Sequence, residues 1–204
     1  MMIAPATDIK CPLALLSELN RPWMVEASNP YLTHLLRCAG GGGQMACIGT
    51  ARESSEFWIG RARLLIDAEG MTVGGFIAMK GTELTQYRHA DSTQLLKETP
   101  KAHLNELLAF LEATNDLFAP VTPDDFYLSK IGVLGPYRRR GLGKRLISDW
   151  LTQGTATGKR KFRLDVAATN TAAIKLYKQF AFKIIHEGKA PYYELNYLSM
   201  QLVL

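Results

Sequence analysis

Residues 126–151 read FYLSKIGVLGPYRRRGLGKRLISDWL, and their reading decides the fold. The first nine, 126–134, are rich in aromatic and β-branched side chains, as a strand requires. Gly135-Pro136 breaks the strand, and a loop rich in arginine and glycine follows. A helix then opens near Gly143, with Leu146, Ile147, Trp150 and Leu151 at helical spacing. Gly141 and Gly143 let backbone approach a ligand without a Cβ in the way, and the first helical turn leaves amide hydrogens unpaired. The helix dipole adds roughly half a positive charge there. With Arg138, Arg139, Arg140, Lys144 and Arg145 alongside, strand, loop and helix make an anion site suited to a pyrophosphate.

Two other phosphate motifs are excluded. A Walker loop, GxxxxGK[ST], needs glycine where Arg138 stands and a hydroxyl where Arg145 stands. The dinucleotide fingerprint GxGxxG needs glycine at Leu146, and the run Gly40 to Gly43 has no strand-to-helix context.

Working outward, residues 1–5 read as a short strand, Asp8 as the N-cap of a helix carrying Leu13, Leu15, Leu16 and Leu19, and Pro30 as the start of a second helix ending at the glycines. Residues 62–68 and 71–80, joined by Glu69-Gly70, form an antiparallel hairpin. Residues 103–118 place Leu104, Leu107, Leu108, Leu111 and Phe118 on one helical face. Beyond the central motif come a strand with Phe162, Leu164 and Val166 alternating, a helix from Thr171 to Phe180, and strands at 182–186 and 197–204. The class is mixed α/β.

With 204 residues, 47% hydrophobic and 21% charged, the chain has the composition of a single globular domain and not of a disordered or membrane-spanning one. No window reaches the roughly 18 uninterrupted apolar residues of a membrane helix, and the N-terminus has no secretory pattern, so the expected location is cytoplasmic. Cys11, Cys38 and Cys47 have no CxxC spacing, and His34, His89, His103 and His186 are scattered singly, so no metal is expected.

The segment IGVLGPYRRRGLGKRLI resembles the acetyl-CoA-binding motif of the GNAT acetyltransferase superfamily, R/Q-x-x-G-x-G/A after a strand, with Arg138, Gly141 and Gly143 in the key places. Downstream, Asn170, Ala173, Leu176, Tyr177 and Phe182 are similar to that family's N-x-x-A-x-x-L-Y-x-x-x-G-F, with Ala181 where the family has glycine. Weaker likeness covers most of the chain. The resemblance implies one domain over 1–204, a twisted, mostly antiparallel sheet with flanking helices, and a helical insertion at about 90–120. It implies an N-acetyltransferase that takes acetyl-CoA as acyl donor, without metal, and a small-molecule or peptide amine as acceptor. Backbone groups of Ile131, Gly132 and Val133 would hold the pantetheine arm and the acetyl carbonyl. The segment Arg138, Arg139, Arg140, Gly141, Leu142, Gly143 and Lys144 would cradle the pyrophosphate, Asn170 would touch the cofactor, and Tyr177 would protonate the departing thiolate. Asn170 also fits a plain helix N-cap, and Tyr177 a core position.

No carboxylate lies within 127–133, where many relatives keep a general base. Asp124, Asp125 and Asp165 lie nearby, and a water relay is an alternative. The base is left unassigned. The problem it solves is definite: an amine of pKa about 10.4 costs roughly 4.6 kcal/mol to deprotonate at pH 7.

Charge is uneven. Residues 138–163 hold nine Lys/Arg against Asp149, a local +8 on a chain of net +5, so the remainder carries -3. Residues 82–126 hold eight acids and three Lys/Arg, a net -5, which suggests a cationic acceptor steered to that side, with Asp124 and Asp125 contributing. Two other readings stay open: a catalytically inactive acyl-CoA sensor, and a nucleic-acid-binding module using the basic residues, which no aromatic or recognition-helix pattern favours. The oligomeric state, monomer or homodimer, and the use of longer acyl chains are not fixed by the sequence.

Overall fold

A computed structural model describes residues 1–8, 30–40 and 52–204. Among these residues lie seven strands and five α-helices: β1 (Met2–Pro5), α1 (Pro30–Cys38), β2 (Ala62–Ile66), β3 (Thr72–Lys80), α2 (Gly81–Glu98), α3 (Leu104–Ala113), β4 (Asp125–Val133), α4 (Leu142–Ala156), β5 (Lys161–Ala167), α5 (Thr171–Gln179), β6 (Lys183–Ala190) and β7 (Leu195–Val203). The strands form one sheet in the order β1-β2-β3-β4-β5-β7-β6. Every neighbouring pair is antiparallel except β4 and β5. The mixed α/β class with a mostly antiparallel sheet is therefore what the chain has.

Local chemistry accounts for the elements. The β2–β3 hairpin turns at Gly70, whose φ of +82° suits glycine, and Asp67 Oδ1 accepts from the amides of Glu69 and Met71 at 3.1 and 2.8 Å. Helix α4 buries Leu142, Leu146, Ile147, Trp150 and Gly154. A Cβ on Gly154 would stand 2.4 Å from Phe162 and 2.6 Å from Phe126, so α4 lies close on the sheet there.

Two features of β4 position the site. It pairs with β5 only from Asp125↔Lys161 to Leu128↔Leu164, after which the strands part. Against β3, the register shifts between Ile77↔Lys130 and Ala78↔Leu128, leaving Ser129 as an extra residue, a β-bulge. Strict alternation would send Ser129 and Lys130 to opposite faces. The bulge turns both toward the face of Tyr127, Ile77 and Met79, while Ile131 and Val133 face the α4 core.

That core, of Phe76, Phe126, Leu146, Ile147, Trp150, Phe162 and Met200 among others, fills the space under α4 and α5. The opposite face carries α2, and further along it α1 and α3 pack with Phe110, Leu117, Tyr193 and Tyr197.

Three expectations need correction. The stripe of α3 departs from the leucines at one place: Leu107 is buried and Leu111 packs inward, but Leu108 is 52% exposed and Phe110 takes a buried place beside Leu107. Phe118 lies outside the helix, which ends at Ala113. Helix α2 begins at Gly81, with Glu83 accepting from the Lys80 amide at 3.0 Å, ahead of the 90–120 span expected to be helical. The helix expected after Asp8, Cys11, Cys47 and most of the glycine run lie outside the described residues.

Candidate functional site

The loop after β4 is built for an anion. Arg139 and Gly141 take left-handed φ of 60° and 77°, and the first backbone bond of α4 is from the Arg145 amide to the Gly141 carbonyl at 3.2 Å. The amides of Leu142, Gly143 and Lys144 lie ahead of that bond, outside the ladder. A cleft of about 750 Å³ opens there, lined by Ile131, Gly132 and Val133, by Arg138, Arg139, Gly141, Leu142, Gly143 and Lys144, and by Asn170 and Tyr177. Eleven of the twelve residues named from the sequence line it. Arg140, the twelfth, bonds instead to the Pro136 carbonyl at 3.0 Å and lies over the Tyr137 ring.

Roles within the cleft differ. Arg138 Nε donates to the Val133 carbonyl at 2.8 Å, tying loop to strand. The Asn170 side chain caps α5 by accepting from the Ala173 amide at 3.2 Å. Tyr177 is 5% exposed, and burial alone pushes its hydroxyl far above the ordinary tyrosine range. Beyond Leu128 the backbone of β4 has no strand partner on its β5 side, so its polar groups there are available to a ligand.

Acetyl-CoA suits these residues: the unpaired amides of α4 match a pyrophosphate, and the open strand edge matches the amides of a pantetheine arm. Among the described residues, no group of three or more His, Cys, Asp or Glu is placed to hold a metal ion.

On the other side of β4 is a second cavity, of about 210 Å³, which the sequence reading did not identify. A polar chain crosses its floor. Ser129 Oγ donates to Glu56 Oε1 at 2.6 Å, Arg88 Nε donates to Glu56 Oε2 at 3.0 Å, and Arg88 Nη2 donates to the Tyr127 hydroxyl at 2.9 Å. That hydroxyl donates to Asp165 Oδ2 at 2.9 Å, and Ser199 Oγ donates to Asp165 Oδ1 at 2.5 Å. Burial, and then the charge of Asp165, hold Tyr127 well above its ordinary range. Lys130 completes the floor: burial pulls its ammonium down to about 8 against the attraction of Glu56. Glu56 belongs to an irregular segment before β2, so no periodicity marks it.

The acids near β4 are thereby sorted. Asp165 lines the cavity. Asp125 is 1% exposed at the far end of β4, where it accepts from the Thr122 amide and hydroxyl at 2.6 and 2.9 Å and from Gln201 at 3.3 Å. Asp124 is exposed and faces Lys161. Of the eight acids in 82–126, Asp91 lines the cavity, paired with Arg52. The acidic count there does not describe this cavity.

The basic count divides likewise. Arg138, Arg139 and Lys144 edge the cleft, whereas Lys159 and Arg160 bond to the Pro123 and Leu204 carbonyls and Arg163 is fully buried. The fifteen residues of α4, about 22 Å, separate the two groups. Among the described residues the basic side chains do not form one continuous surface, and the nucleic-acid reading is not favoured.

The sequence model of the acetyltransferase (GNAT) family matches residues 76–182, just over half of the 204 residues. The chain belongs to that family. Its fold is similar to that of an N-acetyltransferase from Staphylococcus aureus Mu50, at TM-score 0.58 and 18% identity over 99% of this chain and 100% of that one. It is also similar to a chain of the NatC complex bound to Gag peptide and CoA (TM-score 0.58, 15% identity, 100% and 98% covered) and to a mutant agmatine N-acetyltransferase in its apo form (0.57, 15%, 92% and 95%). At these identities the likeness is one of fold. No described helix is long and apolar enough to cross a membrane.

Proposed function

We propose that the chain transfers the acetyl group of acetyl-CoA to a primary amine by direct attack of the amine on the thioester. The observation that carries this reading is the placement of two sites back to back on β4: an anion-binding cleft beside Ile131–Val133 and a carboxylate-lined cavity beside Ser129 and Lys130. The parting of β4 from β5 opens a gap between them. A donor on one side and an acceptor on the other would meet there.

In this reading the amides of Arg139 to Lys144 bind the pyrophosphate, with Arg138 beside them. The β4 backbone at 131–133 orients the acyl arm. Acetyl-CoA supplies an activated acyl group. The amine is protonated at pH 7 and must lose a proton. Glu56, the carboxylate tied to the bulge next to the gap, receives it, directly or through a water. The new C–N bond forms as the C–S bond breaks. Tyr177, kept protonated by burial, gives its proton to the departing sulfur. Proximity supplies much of the rate, and proton transfer typically adds about 10² to 10⁴-fold. The acceptor is a small molecule or the end of a peptide.

The test is a panel of amines, amino acids and peptides incubated with acetyl-CoA and followed by release of free thiol. One thiol per acetylated amine is expected. Tight acetyl-CoA binding without acetyl transfer to any member would overturn the reading in favour of an acyl-CoA sensor.

A further inference from the structure

The cavity beside β4 holds one charge with nothing opposite it. Three carboxylates line it, and each has a cation: Arg88 Nε lies 3.0 Å from Glu56, Arg52 2.5 Å from Asp91, and Arg163 Nη2 3.6 Å from Asp165. Lys130 is the fourth cation. It is 6% exposed, its Nζ stands 5.1 Å above the Phe57 ring, and among the described residues no atom accepts a hydrogen bond from it. Glu56 attracts it without pairing with it, because both Glu56 oxygens are engaged by Ser129 and Arg88.

A buried ammonium whose nearest company is an aromatic face is costly to the free protein. An anionic group entering the cavity would remove that cost, and a charge-assisted hydrogen bond to it would form away from water. Apart from Ser92, the rest of the wall is mostly apolar, with Leu35, Phe57, Leu95, Leu111 and Phe118 among its residues and the ring of Tyr31 beside them. The volume, about 210 Å³, is below the roughly 300–1,000 Å³ of sites for drug-sized molecules, so the occupant is small.

We propose that Lys130 binds a carboxylate of the acceptor, and that the acceptor is a small α-amino acid with an apolar side chain. Lys130 and Glu56 line the same small cavity, so an acceptor whose carboxylate meets Lys130 and whose amine meets Glu56 must carry the two groups close together. An amine on the carbon next to the carboxylate meets that requirement. The side chain then packs against the wall supplied by α1, α2, α3 and Phe118. Which group reacts rests on the acetyl-transfer reading above; which ligand binds does not.

Titration calorimetry on the CoA-loaded protein tests this, with L-phenylalanine and L-leucine compared against phenethylamine and isoamylamine, which keep the side chain and amine but lack the carboxylate. The wild type is expected to bind each amino acid at least tenfold more tightly than its matched amine. Lys130→Met should abolish that preference, Lys130→Arg should retain part of it, and Lys130→Gln, which keeps a polar end without charge, should resemble Lys130→Met. Equal or tighter binding of the amines by the wild type, no binding of either amino acid, or a preference that survives in Lys130→Met and Lys130→Gln would each overturn the proposal. The wild-type comparison decides even if a variant fails to fold. Absence of thiol release with every acceptor would instead overturn the acetyl-transfer reading and leave the binding result standing.

Discussion

The hydroxyl of Ser129 donates to Glu56 at 2.6 Å, joining the bulged residue of a central strand to a carboxylate from an irregular segment 73 residues earlier. Counted from Tyr127, alternation alone would keep Ser129 on this face and send Lys130 toward α4, so the bulge is what sets Lys130 beside the pair. Ser129→Ala should cost about 1–3 kcal/mol, measured by denaturant unfolding, because a buried acceptor loses its partner. Glu56→Gln should lower kcat by about 10² to 10⁴-fold, the range of general-base catalysis. Full activity in a folded Glu56→Gln would assign the proton to another group.

Gly141 and Gly143 fail differently when enlarged. At Gly141 a Cβ meets nothing within 4 Å, but φ is +77°, so Gly141→Val strains the turn that aims the first amides of α4. At Gly143 a Cβ would stand 3.1 Å from Leu176 Cδ2, which narrows the cleft. Both should weaken acetyl-CoA binding at least tenfold. Gly70→Val, with φ +82° and open space but remote from the cleft, should lower Tm and leave acetyl-CoA affinity intact. Equal affinities throughout would move the phosphate site elsewhere.

Tyr177→Phe keeps the buried ring and deletes a hydroxyl that has no hydrogen-bond partner among the described residues. Little change in Tm is expected, with a fall in kcat where chemistry limits turnover. Unchanged turnover under those conditions would leave Tyr177 as core packing.

Lys130 links stability to pH. Its folded-state pKa, about 8, lies below the roughly 10.4 of a free lysine, so between these values the unfolded chain binds more protons. Stability should thus rise with pH across that window, and the full penalty should apply below about pH 8. Glu56, Arg88, Asp91, Tyr127 and Asp165 share the cavity with it. Lys130→Met should raise stability at pH 7 by on the order of 3 kcal/mol, and the gain should shrink toward pH 10. Urea unfolding of both proteins from pH 6 to 10 measures it; a constant difference would mean that Lys130 does not titrate there.

Asp124→Asn should leave kcat/KM for the acceptor unchanged at low salt, since Asp124 is exposed away from the cavity opposite Lys161. Asp125→Asn should lower stability by about 1–3 kcal/mol, because its carboxylate satisfies two groups of Thr122 and one of Gln201. A large loss of acceptor kcat/KM in Asp124→Asn would restore the charge-steering idea.

The cleft beside α4 was legible because its signals are local. Glycines at a loop-to-helix junction, arginines beside them and an apolar stripe from Leu146 to Trp150 each act within a few residues, and the structure assembles them as the spacing implies. The cavity beside Lys130 was not. Glu56 has no periodic neighbours, Lys130 reaches its cavity through a one-residue bulge that alternation conceals, and α2 opens with a polar stretch. Charge counts misled for the same reason: a run of cations in sequence becomes two groups at opposite ends of α4, and the cavity's three acids among the described residues are matched by arginines 32 and 39 positions away or, for Asp165, by one buried two residues earlier on the same strand.

The brief pairing between β4 and β5 has a mechanical consequence. Among the described residues, four residue pairs, from Asp125↔Lys161 to Leu128↔Leu164, make up the strand ladder that joins the β1–β4 half of the sheet to the β5–β7 half. A guest whose amides pair with the open edge of β4 would act as additional rungs in that seam. Its arrival would then stiffen the whole sheet, and amide hydrogens on both halves, far from any contact with it, would exchange more slowly while it stays.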